Sequence, residues 1–340
     1  MQAFGKRGRP IHVIAGVVRP GVRETLQDTP ITWHPIHTIR RPPSISQAMI
    51  YLQTKRIINT IRKQHPDLAV ISLDPCPLAD YWVGASPQAL WKQAKKRGKF
   101  SRSFKPGLTA WQAWAERTLC AHARHILIYS NQARDWFLSH GIAPARLSQV
   151  VIPTNLVQFK PTETPIAARQ ELLIIGTNPQ LKGIDIALQA WATITRHHPK
   201  LTLRIVCKGW KVPARVKASG LANVEVSPLI PTPEQYYAQA RLVLMPSMFE
   251  SWGNVPLEAL ACGVPVVVSK QTPSSMIVTA PMLGTVIDRD GQNDAQKLAD
   301  ATLAQLALPD EADAMQLRHQ QIIDFQQRHP TSIQWLLAHV

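Results

Sequence analysis

The chain has 340 residues, enough for two domains with a core each, and its 45% apolar content is ordinary for a globular protein. No apolar run approaches the ~20 residues of a membrane-spanning helix, and the short mixed run 12–18 has no cleavage-site pattern, which argues against insertion and secretion. The formal net charge of +16 lies almost wholly in residues 1–150, with 22 Lys+Arg against 7 Asp+Glu, so that half would concentrate nucleic acid, an acidic membrane surface or a phosphorylated substrate.

Taken in chain order, periodicity predicts strands over 11–17 and 31–35, an amphipathic helix over 45–64 and a buried-type strand over 68–73. A helix over 108–123 runs into a strand at 125–129. Ser130 is placed to cap the helix 133–139, and a strand over 149–152 follows. Residues 153–165 hold three prolines and no periodicity, as a linker does. Beyond it the alternation is cleaner. Strand 172–175 ends in Gly176, and helix 183–195 sets Ile184, Ala187, Leu188 and Trp191 on one face. Strands over 201–206 and 222–226, a helix over 233–241, a strand over 242–245, a helix over 254–262, strands over 264–268 and 284–287 and a helix over 294–306 complete the series. Residues 315–340 are helical but for Pro330.

Strands alternating with helices at this spacing imply parallel sheets covered on both faces. The expected fold class is therefore α/β, with two Rossmann-like domains, 1–155 and 156–318. A helical segment over 319–340 is free to return to the first domain. The four cysteines, Cys76, Cys120, Cys207 and Cys262, are scattered in apolar surroundings, which suits reduced thiols better than disulfides or a zinc site.

The densest chemical signal is Pro246-Ser-Met-Phe-Glu250-Ser-Trp-Gly-Asn-Val-Pro-Leu-Glu258-Ala-Leu-Ala-Cys-Gly-Val-Pro265. It follows a strand and opens a helix, at the sheet edge where doubly wound folds take ligands. Gly253 lets the backbone approach an anion, and Asn254 and Val255 open a helix whose free N–H groups favour a diphosphate. Glu258, one turn inside, can accept from a ribose diol, and Glu250 can reach a sugar. The plainer reading has both glutamates solvated. Against it, Glu258 is embedded among Val255, Leu257, Ala259 and Leu260.

Two glutamates separated by seven residues and followed by Ala, then Cys-Gly-Val-Pro-Val-Val, resemble the donor signature of the retaining glycosyltransferases of family 4. So do Val151-Ile-Pro153 with Phe159 and Pro161, and Gly176 followed by Lys182-Gly183. The resemblance implies the GT-B fold, two Rossmann-like domains facing across a cleft, with 1–155 facing acceptor and membrane and 156–318 binding the nucleotide sugar. It also implies a nucleoside diphosphate (NDP) sugar donor such as UDP-glucose, retention at the anomeric carbon, and neither metal nor further cofactor. Physically, an ammonium at position 182, after a strand–Gly loop, is placed to neutralise a departing diphosphate. Lys182 and Glu250 are thus the catalytic candidates. Gly176, Lys182, Glu250, Gly253, Asn254, Val255 and Glu258 are the donor-binding set.

Asp80-Tyr-Trp-Val-Gly-Ala-Ser86 and Met282-Leu-Gly-Thr-Val-Ile-Asp resemble the members that glucosylate heptose in the lipopolysaccharide core. That implies transfer of a hexose to an anionic glycolipid from the cytoplasmic side of the inner membrane. The basic run Lys92, Lys95, Lys96, Arg97, Lys99, Arg102 and Lys105 has Trp82, Trp91, Phe100, Phe104, Trp111 and Trp114 in or near it. It suits a lipid headgroup surface, where each cation adds about 1 kcal/mol; a solvated loop beside core tryptophans explains it equally. Stacking on nucleic acid could use the same residues, with nothing else in the chain to support it. His37 suits an acceptor site less well than a structural role, and His65 reads as a helix-end residue.

Three features depart from the family pattern. The opening residues look like the end of a first helix entering a second strand, without the Gly-Gly loop that relatives carry. Ser86 stands where the core glucosyltransferases have aspartate, and Leu181 where an arginine precedes the lysine. These leave a rival open: a non-catalytic module that binds a membrane or partner through its basic half.

Overall fold

The computed structural model describes residues 10–16, 31–37, 43–87, 89–90, 92, 106–207, 211–309 and 313–340. In the first unit, β1 (Ile11–Ala15) and β2 (Ile31–Pro35) form a separate two-stranded parallel sheet. Helix α1 (Pro43–Gln64) leads to β3 (Ile71–Ser72) and β4 (Tyr81–Ala85). Then come α2 (Pro106–His122), β5 (His125–Ile128), α3 (Asn131–Ser139) and β6 (Leu147–Gln149). Strands β3 to β6 make a four-stranded parallel sheet in sequence order. Trp82, Leu119, Ile126, Ile128 and Phe137 are its buried centre.

Two expectations are corrected here. The strand expected over 68–73 shrinks to two residues. Val70 donates its N–H to the Asp80 carboxylate, so that donor is lost to a ladder, and its carbonyl, accepting from the Asp80 and Tyr81 N–H groups, only begins the pairing of β3 with β4. The strand expected over 149–152 ends at Gln149. Val151 instead pairs with the C-terminal segment, donating to Pro330 O and accepting from Ser332 N–H. Strand β4, which periodicity did not mark, is buried along nearly its whole length.

The second unit runs β7 (Glu171–Gly176), α4 (Ile184–His197), β8 (Thr202–Cys207), α5 (Lys211–Ser219), β9 (Val224–Ser227), α6 (Glu234–Tyr237) and β10 (Ala240–Met245). It continues with α7 (Val255–Ala261), β11 (Val266–Ser269), β12 (Gly284–Ile287) and α8 (Asp294–Ala307). All six strands are parallel, in the order β12-β11-β10-β7-β8-β9. The run Leu172–Ile175 shows why the sequence is apolar without alternation. Leu172 and Ile174 enter the core on one face, Leu173 and Ile175 the core on the other. The apolar face predicted for α4 is the one that is buried. The helix expected over 233–241 is a single turn, because Ala240 is already in β10. Helix α5 escaped prediction, as Pro213 interrupts a short polar pattern.

After α9 (Ala314–Arg328), Pro330 breaks the helix and Thr331 caps α10 (Ser332–His339) through a capping box with Gln334. Ile322 and Phe325 of α9 pack in the second unit. Leu336 of α10 packs on Tyr81, Val83 and Leu127 of the four-stranded sheet, and the Trp335 ring lies tilted with its centre 4.4 Å from that of His125.

Candidate functional site

In the second sheet the strand order reverses between β7 and β10, and a doubly wound fold opens its ligand crevice at the carboxyl ends of such a pair. The loop after β7 carries Lys182, and the loop after β10 carries Glu250. The two are tied by a backbone hydrogen bond of 2.8 Å from Met248 N–H to Leu181 O. Ser269 Oγ holds Ser247 O from below, and Arg289 Nη1 donates to Pro246 O at 2.7 Å.

Lys182 Nζ lies 2.8 Å from Glu250 Oε1, and the two side chains are only 14% and 18% exposed. The lysine stem runs over Gly176, where any Cβ would collide with its methylenes. Gly253 adopts φ +88°, and a Cβ there would come within 2.5 Å of Thr272 Cγ2. Asn254 is the exposed N-cap of α7, with no side-chain capping bond, and half-buried Val255 begins the helix.

Glu258 sits in the first turn of α7, half-buried, with its Oε2 accepting from Tyr237 O–H at 2.7 Å. Burial pushes its carboxyl above the usual range; the Tyr237 hydrogen bond and the Lys182 charge pull the other way. One ammonium and two carboxylates therefore share one crevice. Tyr237, wholly buried, has its phenol raised well above normal by burial and by Glu258. Sequence reasoning missed it because a tyrosine in a one-turn helix reads as core. Arg289 was also missed. Its side chain is 6% exposed, its guanidinium is paired with Asp294 at 3.3 Å, and burial lowers its pKa. Ser247 Oγ and Trp252 Nε1, on the same loop as Glu250, are buried without a hydrogen-bond partner.

This loop also joins the two units. Phe249 inserts into the core cluster of the first unit, which includes Ala85, and Trp252 lies 6.2 Å from Tyr129. Ser86, next after β4, is half-buried at that edge. Ser130 caps α3 by accepting from Ala133 N–H, as expected. His37 is exposed, with its backbone bonded in both directions to Gln53, and His65 directly follows α1.

Of the basic run, Lys92 is half-buried, while Lys95, Lys96, Arg97, Lys99, Arg102 and Lys105 lie outside the described residues, as do Trp91, Phe100 and Phe104. Trp82 is a core residue, 1% exposed and edge-on to Phe137, in keeping with the alternative of core tryptophans beside the basic run. Trp111 and Trp114 pack edge-on against Tyr51 of α1. Among the described residues no cluster of three or more His, Cys, Asp or Glu could hold a metal, and no helix is long and apolar enough to cross a membrane. Cys207 and Cys262 are buried free thiols, the latter pushed up to about 12 by burial.

Residues 169–307 match the family model described as "Glycosyl transferases group 1". A D-inositol 3-phosphate glycosyltransferase of Thermobifida fusca is 28% identical over 178 residues, 46% of this chain and 41% of that protein. One from Segniliparus rotundus is 32% identical over 164 residues, 43% and 36% of the two chains. The chain thus spans less than half the length of these curated relatives. WaaG, a glycosyltransferase involved in lipopolysaccharide biosynthesis, superposes with a TM-score of 0.73 at 18% identity, covering 96% of this chain and 89% of its own. Anabaena HepE, crystallised with UDP and glucose, superposes at 0.65 and 15% identity over 99% and 92%. At these identities the structural likeness shows the fold alone, which is the two-unit α/β architecture of such transferases.

Proposed function

We propose that this chain is a retaining glycosyltransferase that moves a hexose, glucose in the simplest case, from an NDP-sugar to a phosphorylated acceptor of the lipopolysaccharide-core or related glycolipid kind. One observation carries the reading: Lys182, Glu250 and Glu258 converge at the strand-order switch point of the second sheet. In the mechanism Lys182 neutralises the diphosphate as the glycosidic bond breaks, Glu250 accepts from sugar hydroxyls, and Glu258 accepts from the ribose. The acceptor hydroxyl enters from the first unit, whose β4 edge faces the Glu250 loop through Phe249 and Ala85, and it gives its proton to the departing diphosphate as the new glycosidic bond forms.

Two supports bear on the acceptor. The positive excess of residues 1–150 suits any phosphorylated acceptor, and the basic run 92–105 suits a peripheral position on an anionic membrane face. The relatives named for D-inositol 3-phosphate leave a soluble phosphorylated polyol as the competing acceptor class. Radiolabelled UDP-glucose offered with a heptose-bearing glycolipid in one arm and an inositol phosphate in the other separates them.

Ser86 favours a second reading, a nucleotide-sugar-binding module without turnover, since a hydroxyl cannot serve as a carboxylate base. Binding without release of glucose, even as hydrolysis, would establish it. For the site itself, Glu258→Gln should weaken UDP-glucose binding by at least tenfold, about 1.4 kcal/mol, by calorimetry. Unchanged affinity sinks the assignment.

A further inference from the structure

We infer that the Lys182–Glu250 ion pair lets the crevice distinguish the intact donor from the spent nucleotide: it opens for a nucleoside diphosphate sugar and recloses against the nucleoside diphosphate alone. The inference rests on the reading above, in which Lys182 meets the diphosphate and Glu250 the sugar.

Lys182 already has an anion that belongs to the protein, the Glu250 carboxylate at 2.8 Å, in surroundings that leave both side chains under a fifth exposed. Both partners are held in place. The Lys182 stem lies on Gly176, and the bond from Met248 N–H to Leu181 O fixes the two loops to each other. An incoming phosphate must therefore take the place of a carboxylate that belongs to the protein. Once displaced, Glu250 is a sheltered charge without its cation, and such a group is costly unless it gains new hydrogen bonds.

A nucleotide sugar supplies both sides of the exchange. Its diphosphate takes over Lys182, and its sugar hydroxyls donate to Glu250 in charge-assisted bonds. A bare nucleoside diphosphate supplies only the first, and its terminal phosphate carries extra negative charge toward the stranded carboxylate. After transfer the hydroxyls leave with the acceptor, and Glu250 competes again for Lys182 and helps expel the product. Glu250 is on this account a specificity-determining residue that acts against product as well as for substrate.

Calorimetry with UDP and with UDP-glucose on the full chain tests this. The wild type should bind UDP-glucose about tenfold more tightly than UDP. Glu250→Gln, which keeps the shape and removes the charge, should tighten UDP by about tenfold while weakening UDP-glucose, inverting the preference. If Glu250→Gln fails to fold, Glu250→Asp, which withdraws the carboxylate by one methylene, carries the same expectation for UDP. A UDP affinity that is unchanged or reduced in the folded variant overturns the inference. Lys182→Met separates this from failure of the site reading. If Lys182→Met binds UDP as the wild type does, no diphosphate meets Lys182 and both proposals fall. If it loses UDP while Glu250→Gln gains none, only the discrimination falls.

Discussion

Tyr237 and Glu258 are a coupled pair beside the crevice. The phenol is wholly buried and donates to Glu258 Oε2 at 2.7 Å. Because it favours the ionised form of a carboxyl whose pKa burial raises, removing the hydroxyl should raise that pKa further. The Glu258 titration contributes stability that is present below the unfolded-state pKa and lost as pH rises through the raised folded one. On the proposed reading nucleotide binding runs the opposite way: the ionised carboxylate would accept from the ribose hydroxyls, so affinity should fall as pH drops through the folded value. Tyr237→Phe should therefore lower stability by about 1–3 kcal/mol in urea unfolding, the cost of a buried group left without its partner. It should also move the acid loss of UDP-glucose binding to higher pH. In a Glu258→Gln background Tyr237→Phe should have no further effect on affinity; additive losses would mean that Tyr237 acts by another route.

Among the elements, the 246–254 loop bears on both units at once. Its backbone is fixed on one side by Arg289, Ser269 and Ser274, and on the other by Phe249 seated in the core of the first unit. Phe249 is 8% exposed, so Phe249→Ala removes a buried ring and should cost about 3 kcal/mol of stability. Because that ring anchors the loop bearing Glu250, UDP-glucose affinity should fall with it, whereas a comparable truncation in the far core, Ile205→Ala, should lower the melting temperature alone. Equal ligand losses from the two variants would show that Phe249 matters only as core. The same loop holds Ser247 Oγ and Trp252 Nε1, the only buried side-chain nitrogen or oxygen atoms among the described residues without a hydrogen-bond partner.

Across the molecule, the described chain crosses between its units at 153–165 and again beyond Pro330. The second crossing lays α10 on the first sheet, with Trp335 between His125 and His339. Burial, then His339 and Arg146, lowers the pKa of His125; burial, then His34 and His65, lowers that of His12. A histidine with a depressed folded pKa contributes stability above its unfolded value of about 6.5 and loses it as pH falls through the folded one. The chain should accordingly unfold at lower urea concentration at pH 5.5 than at pH 7.5. His125→Gln should narrow that difference, since it removes one of the groups that must charge. A difference of the same size in the variant would place the acid sensitivity elsewhere.

Burial pattern and local chemistry were written in the sequence. The apolar run of β7, the amphipathic face of α4, the Ser130 cap and the position of Glu258 in the first turn of a helix all follow from residues within a few places of one another. Periodicity records which face of an element is dry, and it says nothing about which element lies alongside. The contact between Lys182 and Glu250 exists because β10 pairs with β7 rather than with β9, a choice made by crossover handedness and helix packing. The same limit hid the Tyr237 hydroxyl behind Glu258, the seat of Phe249 in the other unit and the diversion of Val70 to Asp80. Each is a partnership between distant residues, decided only when the sheets and helices close on one another.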